Sequence, residues 1–126
     1  MQEIFIHTEL HSYYLNILCE KLFQLPKPPT SDEVLHYWHS VCLEEQSSVA
    51  KDVEFLTAKQ KQLLSEIART PGLKEPTAKD FVKKVNLTPR GISQGLYVLL
   101  KHDLVEKLAT GEFHVIDPVL AYWLKR

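Results

Sequence analysis

With 126 residues, 44% of them hydrophobic and 25% charged, the chain holds enough apolar material for one ordinary domain or for two small subdomains sharing a core. No apolar run approaches the roughly 20 residues of a membrane-spanning helix, and the N-terminus lacks the basic and apolar regions of a secretion signal; no membrane partner and a cytoplasmic location are therefore expected. The net charge of −1 hides an asymmetry, because residues 1–56 carry three lysines against nine acids, net −6, whereas residues 57–126 carry twelve basic residues against seven acids, net +5.

In chain order, Ile4-Phe5-Ile6 is a short apolar stretch, and Tyr14, Leu15, Ile17, Leu18 and Leu22 within His11 to Phe23 recur at helical spacing. Pro26, Pro28 and Pro29 forbid continuation of that helix. Thr30 and Glu33 stand in capping-box spacing before a second helix, whose stripe is Val34, Leu35, Trp38, Val41 and Cys42. The polar run from Glu44 to Glu54 reads as fraying helix or linker. It places a boundary between an N-terminal helical subdomain, residues 1–54, and a second domain, residues 55–126.

Thr57 and Gln60 repeat the capping-box spacing and open a helix with Leu63, Leu64, Ile67 and Ala68 on its inner face, ended by Pro71-Gly72. Thr77 is the expected cap of a short helix that buries Phe81, Val82 and Val85, and Asn86 tolerates the left-handed conformation that closes a helix. After a turn of about three residues, Thr88 can cap a new helix and Pro89 suits its first position, where a missing N–H costs nothing. Ile92, Leu96, Leu99 and Leu100 form its apolar face. Leu104 to Leu108 and Phe113 to Ile116 read as two strands joined at Thr110-Gly111. Asp117-Pro118 then opens a terminal helix that should return Leu120, Trp123 and Leu124 to the core. The result is a mainly α fold with a small β-hairpin, in which a helical subdomain precedes a winged helix-turn-helix.

The helix starting at Pro89 leaves Arg90, Ser93, Gln94, Tyr97 and Lys101 off its apolar face, available to the major groove of double-stranded DNA or to another protein. Lys107, Thr110 and His114 on the wing are the matching candidates for phosphates or partner groups. Two cations are few for a specific DNA reader, so protein docking is weighed above DNA reading. Gly91 and Gly95 share a face and allow close approach of another helix or backbone.

Nothing in the sequence assembles catalytic chemistry. His36 and His39 lie three apart but lack further metal ligands, and Cys42 with His39 lacks a third, orienting group. Ser93 has no nucleophile elbow around it. Cys19 and Cys42 are too few for a disulfide framework and read as reduced, buried thiols. No metal site and no enzymatic activity are expected.

Leu-Thr-x-x-Gln-x-x-Leu-Leu-x-x-Ile-Ala at 56–68, Glu-Pro-Thr-Ala-Lys-Asp-Phe at 75–81, Leu-Thr at 87–88 and Asp-Pro-Val-Leu-Ala-Tyr-Trp-Leu at 117–124 resemble the C-terminal winged-helix region of archaeal-type P-loop ATPases and their bacterial relatives. His11-Ser12-Tyr13-Tyr14-Leu15 is similar to the opening of the helical lid in that family, with Leu10 and Ser12 in place of the usual glycine and proline. The resemblance implies a lid-like subdomain followed by a winged helix, acting as a non-catalytic regulatory or interaction module. Its expected partner is an N-terminal P-loop ATPase domain in the full-length protein. This chain has no Gly-x-x-x-x-Gly-Lys-Ser/Thr loop to cradle a triphosphate, so ATP and Mg are expected only in that other domain and no cofactor is expected here. The alternative is a DNA-binding winged-helix transcriptional regulator.

Overall fold

The computed structural model describes residue 4, residues 7–9 and residues 12–126. Expectations resting on Phe5, Ile6, Leu10 and His11 lie outside the described residues. Over residues 12–126 the elements are α1 (Ser12–Phe23), α2 (Ser31–Asp52), α3 (Ala58–Arg69), α4 (Lys79–Val85), α5 (Pro89–Lys101), β1 (Val105–Lys107), β2 (Phe113–Val115) and α6 (Pro118–Leu124).

The first two helices pack through the residues their spacing selects. Tyr14, Leu18 and Leu22 of α1 are buried, with Leu15 and Ile17 half-buried beside them. At the start of α2 the Thr30 hydroxyl accepts from the Glu33 N–H at 3.2 Å. Of the two forms expected for the polar run from Glu44, fraying helix or linker, the structure takes the helix, since α2 remains helical to Asp52. Val49, seven residues after Cys42, continues the buried stripe by two helical turns, and that anchor outweighs the polar composition around it. Leu35, assigned to the stripe, is instead 41% exposed.

Helix α3 begins with a complete capping box: Gln60 N–H donates to Thr57 Oγ1 at 3.2 Å, and Thr57 N–H donates to Gln60 Oε1 at 3.0 Å. Its expected inner face, Leu63, Leu64, Ile67 and Ala68, is buried throughout. Thr77 does not cap α4. The cap is Ala78, without a side-chain bond, because Glu75 to Ala78 close a turn in which the Ala78 N–H donates to the Glu75 carbonyl at 3.1 Å. At the other end Asn86 adopts φ 55° and ψ 42°, the left-handed conformation expected of it. Asn86, Leu87 and Thr88 are the whole connection to α5, where Thr88 Oγ1 accepts from the Gly91 N–H at 3.0 Å.

Helix α5 lies on α3, and Gly95 sits at their closest approach. A Cβ there would come within 2.8 Å of Leu63 Cδ2. Gly95→Ala gains helix propensity of up to about 1 kcal/mol but forces the fully buried Leu63 side chain aside at about 1–3 kcal/mol. The expected outcome is a net loss of about 1 kcal/mol in urea unfolding, with a larger loss for Gly95→Val. Ile92, Leu96 and Leu99 are buried as expected, whereas Leu100 is 37% exposed.

The wing pairs β1 and β2 antiparallel, with Val105 opposite Val115, Glu106 opposite His114 and Lys107 opposite Phe113. Both strands are shorter than the sequence pattern, because Leu108 and Glu112 already belong to the turn, where Gly111 takes φ 92°. Leu73 adds an isolated bridge to Phe113, whose N–H donates to the Leu73 carbonyl at 2.7 Å.

Helix α6 packs against α2, α3 and β2, so the core is continuous from Tyr14 and Trp38 through Leu63 and Leu99 to Val119. Three side-chain bonds tie it to the first two helices. The Tyr14 hydroxyl donates to Asp117 Oδ2 at 2.8 Å, Trp123 Nε1 donates to the Cys42 carbonyl at 3.0 Å, and the Tyr122 hydroxyl meets His39 Nδ1.

Cys42 is fully buried beneath this helix, and burial pushes its thiol from 9.0 up to about 12, with Arg126 pulling the other way. The native state thus keeps a proton that the unfolded chain releases from about pH 9. Stability contributed by this group is intact below pH 9 and falls as the pH rises from 9 toward 12. Urea midpoints measured between pH 8 and pH 11 should show this slope, and Cys42→Ala should flatten it (Tyr14, held above its ordinary 10.0 by burial and by Asp117, adds its own fall at higher pH).

Candidate docking surface

The burial of Ile92, Leu96 and Leu99 decides which way the rest of α5 points. At about 100° per residue, Arg90, Gln94, Tyr97 and Lys101 fall within about 40° of the direction opposite Ile92, with Ser93 about 80° away on one side. All five are exposed, Tyr97 at 66%. The expected α5 residues therefore share one strip. Leu100 lies only about 80° from Ile92, at the edge of the apolar face, which explains its partial exposure. It joins the strip next to Tyr97 and Lys101, although the sequence pattern assigned it to the core.

Beside the strip runs a groove of about 410 Å³ between α3 and α5, with Lys59, Gln60, Arg90 and Gln94 on its polar rim and Leu63 and Val98 on its apolar side. Gly91 and Gly95 line it as well, but their roles are internal. Gly95 admits Leu63, and a Cβ on Gly91 would stand 3.1 Å from Thr88 Oγ1. Exposed Lys79, Lys83 and Lys84 on α4 and Lys59 and Lys61 on α3 extend the positive surface, and none of them forms an ion pair among the described residues. These lysines were missed as candidates because they do not lie on the helix that follows the turn; their clustering in the +5 half was the available signal.

The wing places its three candidates in different surroundings. Thr110 is exposed at the turn, and exposed Lys107 holds its ammonium 5.6 Å from the centre of the Phe113 ring. His114 Nε2 lies 2.6 Å from Glu106 Oε1, so this imidazole is engaged across the ladder rather than left for a partner. Glu106 and Glu112 set two negative charges beside Lys107 on the hairpin.

Elsewhere, the chemistry that was weighed and set aside stays apart. Among the described residues no group of three or more His, Cys, Asp or Glu could hold a metal ion. His39 Nδ1 is occupied by the Tyr122 hydroxyl, and the Cys42 thiol is buried and held protonated, the opposite of an activated nucleophile. Cys19 and Cys42 are both free, Cys19 only partly buried. No helix among the described residues is long and apolar enough to cross a membrane.

Comparison with curated proteins and with solved structures gives no match. A family model described as a probable winged helix domain matches residues 43–126, from the middle of α2 through the turn, the recognition-type helix α5, the wing and the closing helix, and the chain belongs to that family.

Proposed function

We propose that this winged helix is a non-catalytic docking module that meets a protein partner through the outer strip of α5, and that it serves as the C-terminal regulatory part of a P-loop ATPase. The observation that carries the docking reading is the make-up of the strip: exposed Tyr97 and partly exposed Leu100 toward its middle and end, neutral Ser93 and Gln94 beside them, and cations only at Arg90 and Lys101. An aromatic centre with charges toward the rim is the anatomy of a protein interface. The acidic residues of the wing add repulsion toward a phosphate backbone. The ATPase context rests on the resemblance of residues 56–68, 75–81 and 117–124, and the division into a lid-like part, 1–54, and a winged part, 55–126, belongs to the same reading.

One observation favours double-stranded DNA as the second reading: the unpaired lysines of α3 and α4 lie on the helices that flank α5. Titration with random-sequence duplex DNA at low and moderate salt separates the two. Docking on protein predicts no binding at moderate salt. Binding that weakens steeply with salt, and is lost in Arg90→Ala with Lys101→Ala, supports the DNA reading instead. The ATPase context predicts that the chain alone binds no ATP by calorimetry and that a P-loop is encoded upstream of it; micromolar ATP affinity would sink it.

A further inference from the structure

We infer that the docking partner enters the groove between α3 and α5 with an acidic segment that carries an apolar side chain, an inference that rests on the docking reading and names the chemistry of its partner. Arg90 and Gln94 belong to both the α5 strip and this groove, so one partner covers the two together. The volume of about 410 Å³ equals roughly one turn of a helix about 10 Å across, so only a few partner side chains enter. The floor is apolar and partly open: Leu63 is buried against Gly95, whereas Leu87 and Val98 remain half-buried.

Charge selects the occupant. Lys59 stands on the α3 wall and Arg90 on the α5 wall, both exposed, and neither forms an ion pair among the described residues. Among the described residues no acidic side chain lines the groove. Two uncompensated cations at one cleft raise its potential and draw in negative groups. Arg90 suits a carboxylate through two parallel N–H bonds, and Lys59 meets another as a point charge. The Gln60 and Gly91 amides at the two helix starts already donate to Thr57 and Thr88 Oγ1, so side chains supply this attraction. With a cation on each wall and Leu87 and Val98 between, the matching segment has an apolar residue flanked by acids, the acidic-motif mode of recognition. A phosphate backbone would meet the two cations and leave the apolar floor uncovered, so the occupant is a protein segment.

The probe is the capped peptide Gly-Asp-Glu-Leu-Glu-Asp-Gly, titrated at low salt into the uniformly nitrogen-15-labelled full chain and followed by amide NMR shifts. The expected result is saturable binding with a Kd of about 1 mM or tighter, with shifts centred on residues 57–63 and 87–98. Lys59→Gln with Arg90→Gln should weaken binding at least about tenfold while leaving the thermal midpoint unchanged, since both side chains are exposed. The uncharged peptide with Asn and Gln for its acids should also bind at least about tenfold more weakly, and the peptide with serine for leucine about fivefold more weakly. Absence of shifts at about 10 mM probe, shifts confined to α4 or the wing, or equal affinity for the double variant, the uncharged peptide or the serine peptide would each overturn the assignment. Displacement of the peptide by random-sequence duplex DNA at moderate salt would overturn it too, giving the groove to nucleic acid. Tyr97→Ala should leave peptide binding unchanged. Loss of peptide binding beside intact Tyr97-dependent docking therefore strikes the groove alone, and peptide binding without such docking strikes the docking reading.

Discussion

Replacing Asp117 with alanine is expected to cost about 2–4 kcal/mol of folding stability. One carboxylate serves three donors: Oδ1 accepts from the Val119 and Leu120 amides at 2.9 and 3.2 Å, and Oδ2 accepts from the Tyr14 hydroxyl at 2.8 Å. Losing the cap costs about 0.5–2 kcal/mol, and the part-buried Tyr14 hydroxyl left without its acceptor costs about 1–3 kcal/mol. Helix α6 has seven residues, far too few to persist without tertiary support. Yet it carries Val119, Leu120 and Ala121 into the core and Tyr122 and Trp123 onto α2. Urea unfolding of Asp117→Ala, Tyr14→Phe and the double variant checks this. Tyr14→Phe removes the hydroxyl that has lost this carboxylate, so the double variant should lose less than the two single losses combined. Strict additivity would show that the Tyr14–Asp117 bond contributes nothing between the helices it joins.

Tyr97→Ala should weaken docking by about 2 kcal/mol, close to thirtyfold in Kd, with no change in thermal midpoint. The side chain is 66% exposed and makes no hydrogen bond or ring contact among the described residues, so the folded state loses almost nothing when it is removed. In a complex it would supply a large, rigid contact at low entropic cost, the property that makes tyrosine frequent at interface centres. Arg90→Ala and Lys101→Ala, at the strip's two ends, should each cost about 1 kcal/mol or less. Calorimetric titration of the chain with a P-loop ATPase domain, the partner proposed above, tests both statements. A dominant effect from Arg90 and Lys101, with Tyr97 neutral, would move the surface from protein toward nucleic acid.

Much of the fold was legible because its signals act within one helical turn. Thr57 with Gln60, Thr88 with Pro89, and Asp117 with Pro118 each satisfy free amides three residues away or less, and each starts a helix where expected. Asn86 ends α4 for an equally local reason. The α5 part of the candidate surface was legible too, since the spacing of Ile92, Leu96 and Leu99 fixes the opposite face. Errors arose where local preference met a distant neighbour. Thr77 had the chemistry of a cap, but the turn from Glu75 to Ala78 moved the helix start beyond it. The pairing of His114 with Glu106 was likewise invisible locally, because strand register alone sets them opposite each other.

The sequence by itself therefore determined the helix starts, the hairpin, the outward face of α5 and the lack of a phosphate-binding loop, because each depends on residues a few positions apart. Only the tertiary structure decided how far α2 runs, why Gly95 must lack a side chain, and that α6 is held to the first two helices by pairs 103 and 81 residues apart in sequence. It also decided that Lys59 of α3 and Arg90 of α5 share a groove. The physical reason is the same throughout: a cap or a turn is satisfied by its own segment, whereas burial and long-range hydrogen bonds exist only once separate segments have packed together.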